Sequence, residues 1–331
     1  MKKPYLVDVP VALIFFNRPD VFSRVFECVR NARPSKLFLI QDGPRAGRTD
    51  DIENMKKCRQ VCSEIDWECE VHQDFSEDNL GCGMRIYSGL TNAFKVVDRL
   101  VIIEDDIVIA PDFLPFCSEL LEKYKDDQRV GMISGMNHLG RYDECPYSYF
   151  YSSHGGSIWG WATWKRVWDD IEWDLTKIVK DEYITSIFPY VRKNKKIGDR
   201  DINRLRQKSE SMSKGEKQSS WSFQFGFTTL ALQNRLRIIP KVNLTSNIGI
   251  IGESTHTKDS ISKLPRGIRC VYNAPTYEIN KPLIHPKYMV DDIPFLERQY
   301  RIMGTYSPGI KIYRFFESKI YQLFPKLGED K

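Results

Sequence analysis

The sequence predicts an α/β fold in which a mostly parallel central sheet carries helices on both faces. Three observations carry that prediction. Short continuous apolar runs alternate with longer stretches of helical periodicity through the first half of the chain. Each run is long enough for a strand buried on both faces and too short for a helix. Polar or turn-forming residues follow each run, where a parallel sheet places its ligand-binding edge. With 331 residues there is chain for one large domain with additions, or for two domains sharing a cleft.

Val11 to Phe16 reads as the first strand, and Pro19 opens a helix whose stripe is Val21, Phe22, Val25, Phe26 and Val29. Leu37 to Ile40 is the second strand, stopped at Asp42-Gly43-Pro44. A polar helix over 50–63 and a strand over 67–75 come next. Ile86, Tyr87, Leu90, Ala93, Phe94 and Val97 mark another helix. Leu100 to Ile103 is a fourth strand that runs straight into Glu104-Asp105-Asp106, and a helix over 112–125 follows. The second half is less regular. It holds a tryptophan-dense segment at 159–173, a helix over 221–234 and short strands at 236–240 and 243–249. Residues 207–219 read as a mobile loop.

Composition excludes several classes. Apolar residues make up 41% and charged residues 28%, the balance of a globular chain, and no run approaches the roughly 18 apolar residues of a membrane span. Asp8 interrupts the apolar start, so a cytoplasmic location is expected. The eight cysteines complete no zinc spacing and read as reduced thiols. Residues 189–219 hold ten Lys/Arg and four Asp/Glu, more than the whole net charge of +5. Only Tyr190 lies among those cations as a base-stacking aromatic, so nucleic acid is not the expected partner.

Glu104-Asp105-Asp106 is the sharpest chemical feature. Adjacent carboxylates at the end of a buried strand repel one another unless something positive joins them. A divalent cation, Mn²⁺ or Mg²⁺, removes the conflict and bridges carboxylates to phosphate oxygens. Arg18 and Arg85 are candidate partners for a diphosphate, Arg85 following the turn Gly81-Cys82-Gly83, whose free N–H groups suit an anion. Trp159, Trp161, Trp164, Trp168 and Trp173 are five of the seven tryptophans. Trp161, Trp164 and Trp168 fit one helical face and the core. Trp159, after Gly155-Gly156-Ser157, fits a loop where an indole stacks on a sugar. His256 becomes a metal ligand only if the fold brings it to the carboxylates.

These residues in this order resemble the GT-A-fold (Rossmann-like) glycosyltransferases, and among them a bacterial group similar to the N-acetylglucosaminyltransferase that initiates complex N-glycans. The resemblance covers about residues 10–257. It rests on Phe16-Asn17-Arg18-Pro19, Gln41-Asp42-Gly43, Glu104 to Phe113, Trp159-Gly160-Trp161-Ala162-Thr163-Trp164, and Pro240 to Leu244 through Thr255-His256-Thr257. It implies a transferase domain over 1–257, with a nucleotide half near 10–136 and an acceptor half near 137–257, and a C-terminal extension over 258–331. It implies that Asn17, Arg18, Asp42, Arg85, Glu104 and Asp105 bind a nucleotide sugar, with Asp42 on uracil. Asp106 and His256 would hold the metal. Gly156, Ser157, Trp159, Trp161 and Trp221 would line the donor and acceptor sugars of a glycan or lipid-linked glycan. Relatives that invert stereochemistry place an Asp where this chain has Ser222, so Glu253 or Asp169 is the alternative base. The expected reaction is hexosyl or N-acetylhexosaminyl transfer in surface polysaccharide or lipopolysaccharide synthesis. Two competing readings are a sugar nucleotidyltransferase, which Asn17-Arg18-Pro19 argues against, and a non-catalytic glycan-binding protein. The stripe Ile312, Tyr313, Phe316, Ile320, Leu323, Phe324 and Leu327, flanked by lysines, suits either a helix over 309–327 lying on the inner face of the membrane or packing on its own domain or a homodimer partner.

Overall fold

A computed structural model describes residues 2–191, 195–216, 221–249, 269–303 and 308–324. The predicted α/β architecture is present, with a large central sheet and helices against it. The first half runs β1 (Val7–Phe15), α1 (Pro19–Ala32), β2 (Pro34–Gln41), α2 (Thr49–Cys62), β3 (Glu70–Phe75), α3 (Gly81–Ala93), β4 (Arg99–Glu104), β5 (Ile107–Ile109), α4 (Phe113–Lys123) and β6 (Val130–Ser134). The second half runs β7 (Tyr149–Ser152), β8 (Trp161–Trp164), α5 (Lys165–Trp168), α6 (Thr176–Lys180), α7 (Glu182–Val191), α8 (Lys195–Ser213) and α9 (Ser222–Gln224). The last continues as a π-helical stretch, Phe225–Ala231, before β9 (Leu236–Pro240), β10 (Thr245–Asn247), α10 (Ile293–Met303) and α11 (Pro308–Leu323).

Eight strands form one sheet in the order β3-β2-β1-β4-β8-β6-β9-β7. β1 pairs in parallel with both β2 and β4, and β2 with β3. β8 runs antiparallel between β4 and β6, β9 is parallel to β6, and β7 closes the edge antiparallel to β9. The chain steps one way along the sheet through α1 and α2, then returns across β1 through α3. Right-handed crossovers put those two paths on opposite faces. The order therefore reverses between β1 and β4, and their carboxyl ends open a crevice there.

The strand runs are buried as their apolar continuity predicts. Val11 to Leu13, Leu37, Ile40, Leu100, Val101 and Ile103 are inaccessible, and the stripe of α1 is buried at Val21, Phe22, Val25, Phe26 and Val29. Pro19 starts α1 with its φ already helical, and it forces Arg18 out of the helical region, to φ −117° and ψ 71°.

Three expectations change. Trp161 to Trp164 is a strand, so Trp161 and Trp164 project to opposite faces instead of sharing a helical stripe. Trp161 stacks on Trp221, with ring centroids 5.4 Å apart, whereas the Trp164 indole donates to the Leu121 carbonyl of α4. Residues 207–213 extend helix α8, whose Ile202, Leu205 and Ser209 face inward at helical spacing. The predicted helix over 221–234 is one short turn followed by π-helix. The described residues beyond 257 pack against the domain that precedes them. Ile279 and Leu283 join the main core, and Phe295 packs against Tyr142 and Phe150. All eight cysteines are free thiols. Among the described residues no helix is long and apolar enough to cross a membrane.

Candidate active site

The crevice between β1 and β4 gathers the residues that carry chemistry. Arg18 leaves the end of β1 extended, and its guanidinium reaches the loop after β4. One of its nitrogens donates to the Asp105 carboxylate and, at 3.1 Å, to Asp106. Asp105 also accepts the Phe16 N–H at 3.3 Å, which ties the two strand ends together. Immediately beyond the acids β5 pairs antiparallel with β10, and the Ile248 N–H donates to the Asp106 carbonyl at 2.8 Å. The acid trio is thus clamped between the sheet and a two-stranded ribbon. Gly249 lies against Asp106 so closely that a Cβ there would stand 2.1 Å from its Oδ2.

The charges in this cleft do not balance. Burial and then the neighbouring aspartates push the Glu104 carboxyl well above its ordinary pKa, and Arg18 only partly opposes them. Asp106 is pushed up by burial and by Asp105. Burial lowers the affinity of Arg18 for its proton, and the two aspartates more than reverse that. One guanidinium against three carboxylates leaves an excess of negative charge. Among the described residues no three His, Cys, Asp or Glu side chains close around a common point. Mg²⁺ and Mn²⁺ often bind through one or two carboxylates together with substrate phosphates and water, so the open, acid-rich side of Asp106 fits such an ion without a cage.

The second wall is aromatic. Trp159 sits 5.1 Å from Tyr272, and burial together with the charge of Asp106 raises the Tyr272 phenol pKa. The loop presenting Trp159 is pinned to the sheet. The Ser157 N–H donates to the Ser134 hydroxyl at 3.0 Å, and the Thr245 hydroxyl donates to the Trp159 carbonyl at 2.7 Å. Gly156, with φ 78°, lies flat against Ser134, where a Cβ would be 2.9 Å away.

Several expected ligands are occupied within the chain. The anion at the start of α3 is Asp42, whose carboxylate accepts the N–H groups of Leu80 and Gly81 at 2.9 Å each and that of Gly43 at 3.0 Å. Arg85 is buried beneath that turn, donating to the Gln41 carbonyl at 3.0 Å and to the Asp74 carboxylate at 2.6 Å, so it joins the ends of β2 and β3 instead of facing the cleft. The Asn17 amide donates to Asp51 at 2.6 Å, the same carboxylate that holds Arg45. Trp161 and Trp221 are core, and the Trp161 indole N–H has no acceptor among the described residues. Asp169 follows α5, and β8 leads into α5 at the amino end of β4, where Trp164 pairs with Arg99. That is the opposite edge from the acids, so Asp169 is no base for this site; it pairs with Lys165. Ser222 heads α9 beside the buried Trp221. Glu253 and His256 lie outside the described residues.

Sequence reasoning missed Tyr272, Gly249 and Cys82. Cys82 lies exposed at the start of α3, and partial desolvation followed by the charges of Glu104, Asp105, Asp42 and Asp106 raises its thiol pKa. Tyr272 carried no signal, because it reaches the cleft by bridging Asn247 from a segment without periodicity.

No family profile matches this chain, and no curated protein does. Solved structures overlay about half of it. They include a UDP-glucose pyrophosphorylase complexed with UDP-glucose (10% identity, TM-score 0.30, 49% of this chain and 78% of that one). TarS 1-349 of S. aureus follows (12%, 0.33, 49% and 48%). HddC from Yersinia pseudotuberculosis is similar to the same degree (12%, 0.29, 49% and 79%). Overlays this loose carry no assignment of activity, which rests on the geometry of the cleft.

Proposed function

We propose that the chain is a glycosyltransferase that uses a nucleoside-diphosphate sugar, with UDP as the nucleotide, and passes the sugar to a glycan acceptor in surface polysaccharide or lipopolysaccharide synthesis. The observation that carries the reading is the Arg18–Asp105–Asp106 contact at the crevice where the strand order reverses, beside the Trp159–Tyr272 pair. Asp106, aided by Glu104, would hold Mn²⁺ or Mg²⁺, whose charge offsets that of the diphosphate leaving group. Asp105 and the Phe16 N–H keep Arg18 across the cleft, where its guanidinium meets phosphate oxygens. Trp159 and Tyr272 offer an apolar surface to the sugar ring, and the pinned loop holds them there before the substrate arrives. The burial of Trp161, Trp164, Trp168 and Trp221 leaves fewer tryptophans free for the alternative, a purely glycan-binding protein.

Thermal shift against a panel of nucleotide sugars, with and without Mn²⁺, tests this. A metal-dependent rise in Tm is expected for the natural protein and not for Asp106→Asn or Arg18→Ala. The reading fails if no nucleotide sugar raises Tm, or if Asp106→Asn responds as fully as the natural protein. Pyrophosphate released from a nucleoside triphosphate would move the assignment to a nucleotidyltransferase.

A further inference from the structure

Helix α11 is amphipathic, and it is mounted the wrong way round for a helix of a water-soluble domain. The side it lays on the protein carries Arg314, Glu317 and Tyr321, one above another at spacings of three and four. Glu317 and Tyr321 are buried and bonded to each other at 3.1 Å, Arg314 donates to the Ile302 carbonyl of α10, and Arg269 lies 4.7 Å over the Tyr321 ring. The opposite side is apolar and bare. Ile312, Tyr313, Phe316, Ile320, Leu323 and Phe324 are 48–74% exposed. A stripe of this width is normally what a helix buries.

Charge decides what covers it. Among residues 308–324 the cations are Lys311, Arg314 and Lys319, and the one acid, Glu317, is turned into the protein. The outward surface is therefore apolar with a positive border. A second copy docked face to face would set lysines against lysines with no acid to meet them, as two-fold pairing brings like surfaces together. An anionic lipid surface supplies both the apolar layer and the counter-charge. At 16 residues the helix is about 24 Å long and lies flat more readily than it spans.

We propose that α11 binds in the plane of an anionic membrane, with its aromatic and aliphatic side chains in the acyl boundary and Lys311 and Lys319 among the headgroups. Arg269, which packs on the inward side of α11 through the Tyr321 ring, is three residues before Tyr272 of the aromatic wall, so a short segment links the helix to the acid cleft. Resting on the transferase reading, this places the cleft beside the bilayer to take an acceptor anchored in lipid.

The test is co-sedimentation of the full chain with vesicles of phosphatidylglycerol and phosphatidylcholine, and with phosphatidylcholine alone. Strong binding to the mixed vesicles is expected, weakened by salt and at least tenfold lower on the neutral ones. Phe316→Glu with Ile320→Glu abolishes it, and each of Lys311→Gln and Lys319→Gln lowers it about fivefold. The exposed positions leave Tm unchanged, and the Mn²⁺-dependent response to nucleotide sugars persists in these variants, so the two proposals fail separately. Equal binding to both vesicle types, or none to either, overturns the membrane assignment. A dimer seen by light scattering and broken by Phe316→Glu, without vesicle binding, assigns the face to a second copy instead.

Discussion

Two arginines in this protein meet carboxylates at the same edge of the same sheet, and they do different things. Arg85 faces one carboxylate, Asp74, and the carbonyls of Asp74 and Gln41, all close enough to satisfy it, and it is sealed from water. Arg18 faces three carboxylates in an open crevice, with Asp106 still partly exposed. A balanced pair fastens strands together. Around Arg18, burial and then the neighbouring aspartates keep Glu104 and Asp106 above their ordinary pKa, and on the proposed reading that excess is what a cation would meet. The ratio of charges around an arginine, more than its burial, separates a fastening from a binding site here.

The largest way to break this contrast is to exchange the roles. Asp106→Asn should lower kcat/KM at least ~10³-fold while leaving Tm unchanged or slightly higher, because it removes repulsion from the cleft. Steady-state kinetics and calorimetry on one preparation read both. Arg85→Met should do the reverse, costing about 3 kcal/mol in urea unfolding by stranding two carbonyls and a carboxylate, with nucleotide-sugar affinity per folded molecule retained. Arg18→Ala should weaken nucleotide-diphosphate binding by roughly 10- to 100-fold in calorimetry, the loss of charge-assisted hydrogen bonds to phosphate.

A buried group with no counter-charge sharpens the same point. Burial pushes the His138 imidazole down to about 4, and its Nδ1 has no partner among the described residues. The folded pKa lies below the unfolded value, so the unfolded chain binds the proton first as pH falls. Stability is full above pH ~6.5 and declines between there and pH 4, by about 3 kcal/mol, and His138→Phe should flatten that slope in acid unfolding curves. The smallest effect is expected at the aromatic wall. Tyr272→Ala or Trp159→Ala should raise KM about five- to tenfold with the fold intact, and Tyr272→Phe should not.

Much of the first half was legible because local and global demands agree there. A continuous run rich in β-branched residues, such as Leu100 to Ile103, favours a strand covered on both faces, and Pro19 after Arg18 marks a helix start whatever the tertiary context. The site was legible where it followed from strand ends, as at Arg18 and Glu104 to Asp106. At Asp42 and Arg85 the same logic did not foresee the partners that the chain itself supplies. Polar residues at a strand end suit a ligand or the fold's own loose N–H and carbonyl groups equally well, and here the helix start at Gly81 claimed Asp42. Trp161 to Trp164 misled because a four-residue apolar run satisfies both strand and helix periods.

By itself the sequence determined the parallel core and the acids at its strand ends, because apolar periodicity and proline act through neighbours along the chain. Only the tertiary structure decided which carboxylates keep an unmet charge, that Tyr272 and Trp159 meet, and which side of α11 faces outward. Those depend on residues dozens to more than a hundred positions apart becoming neighbours, and desolvation and charge balance exist only once they have.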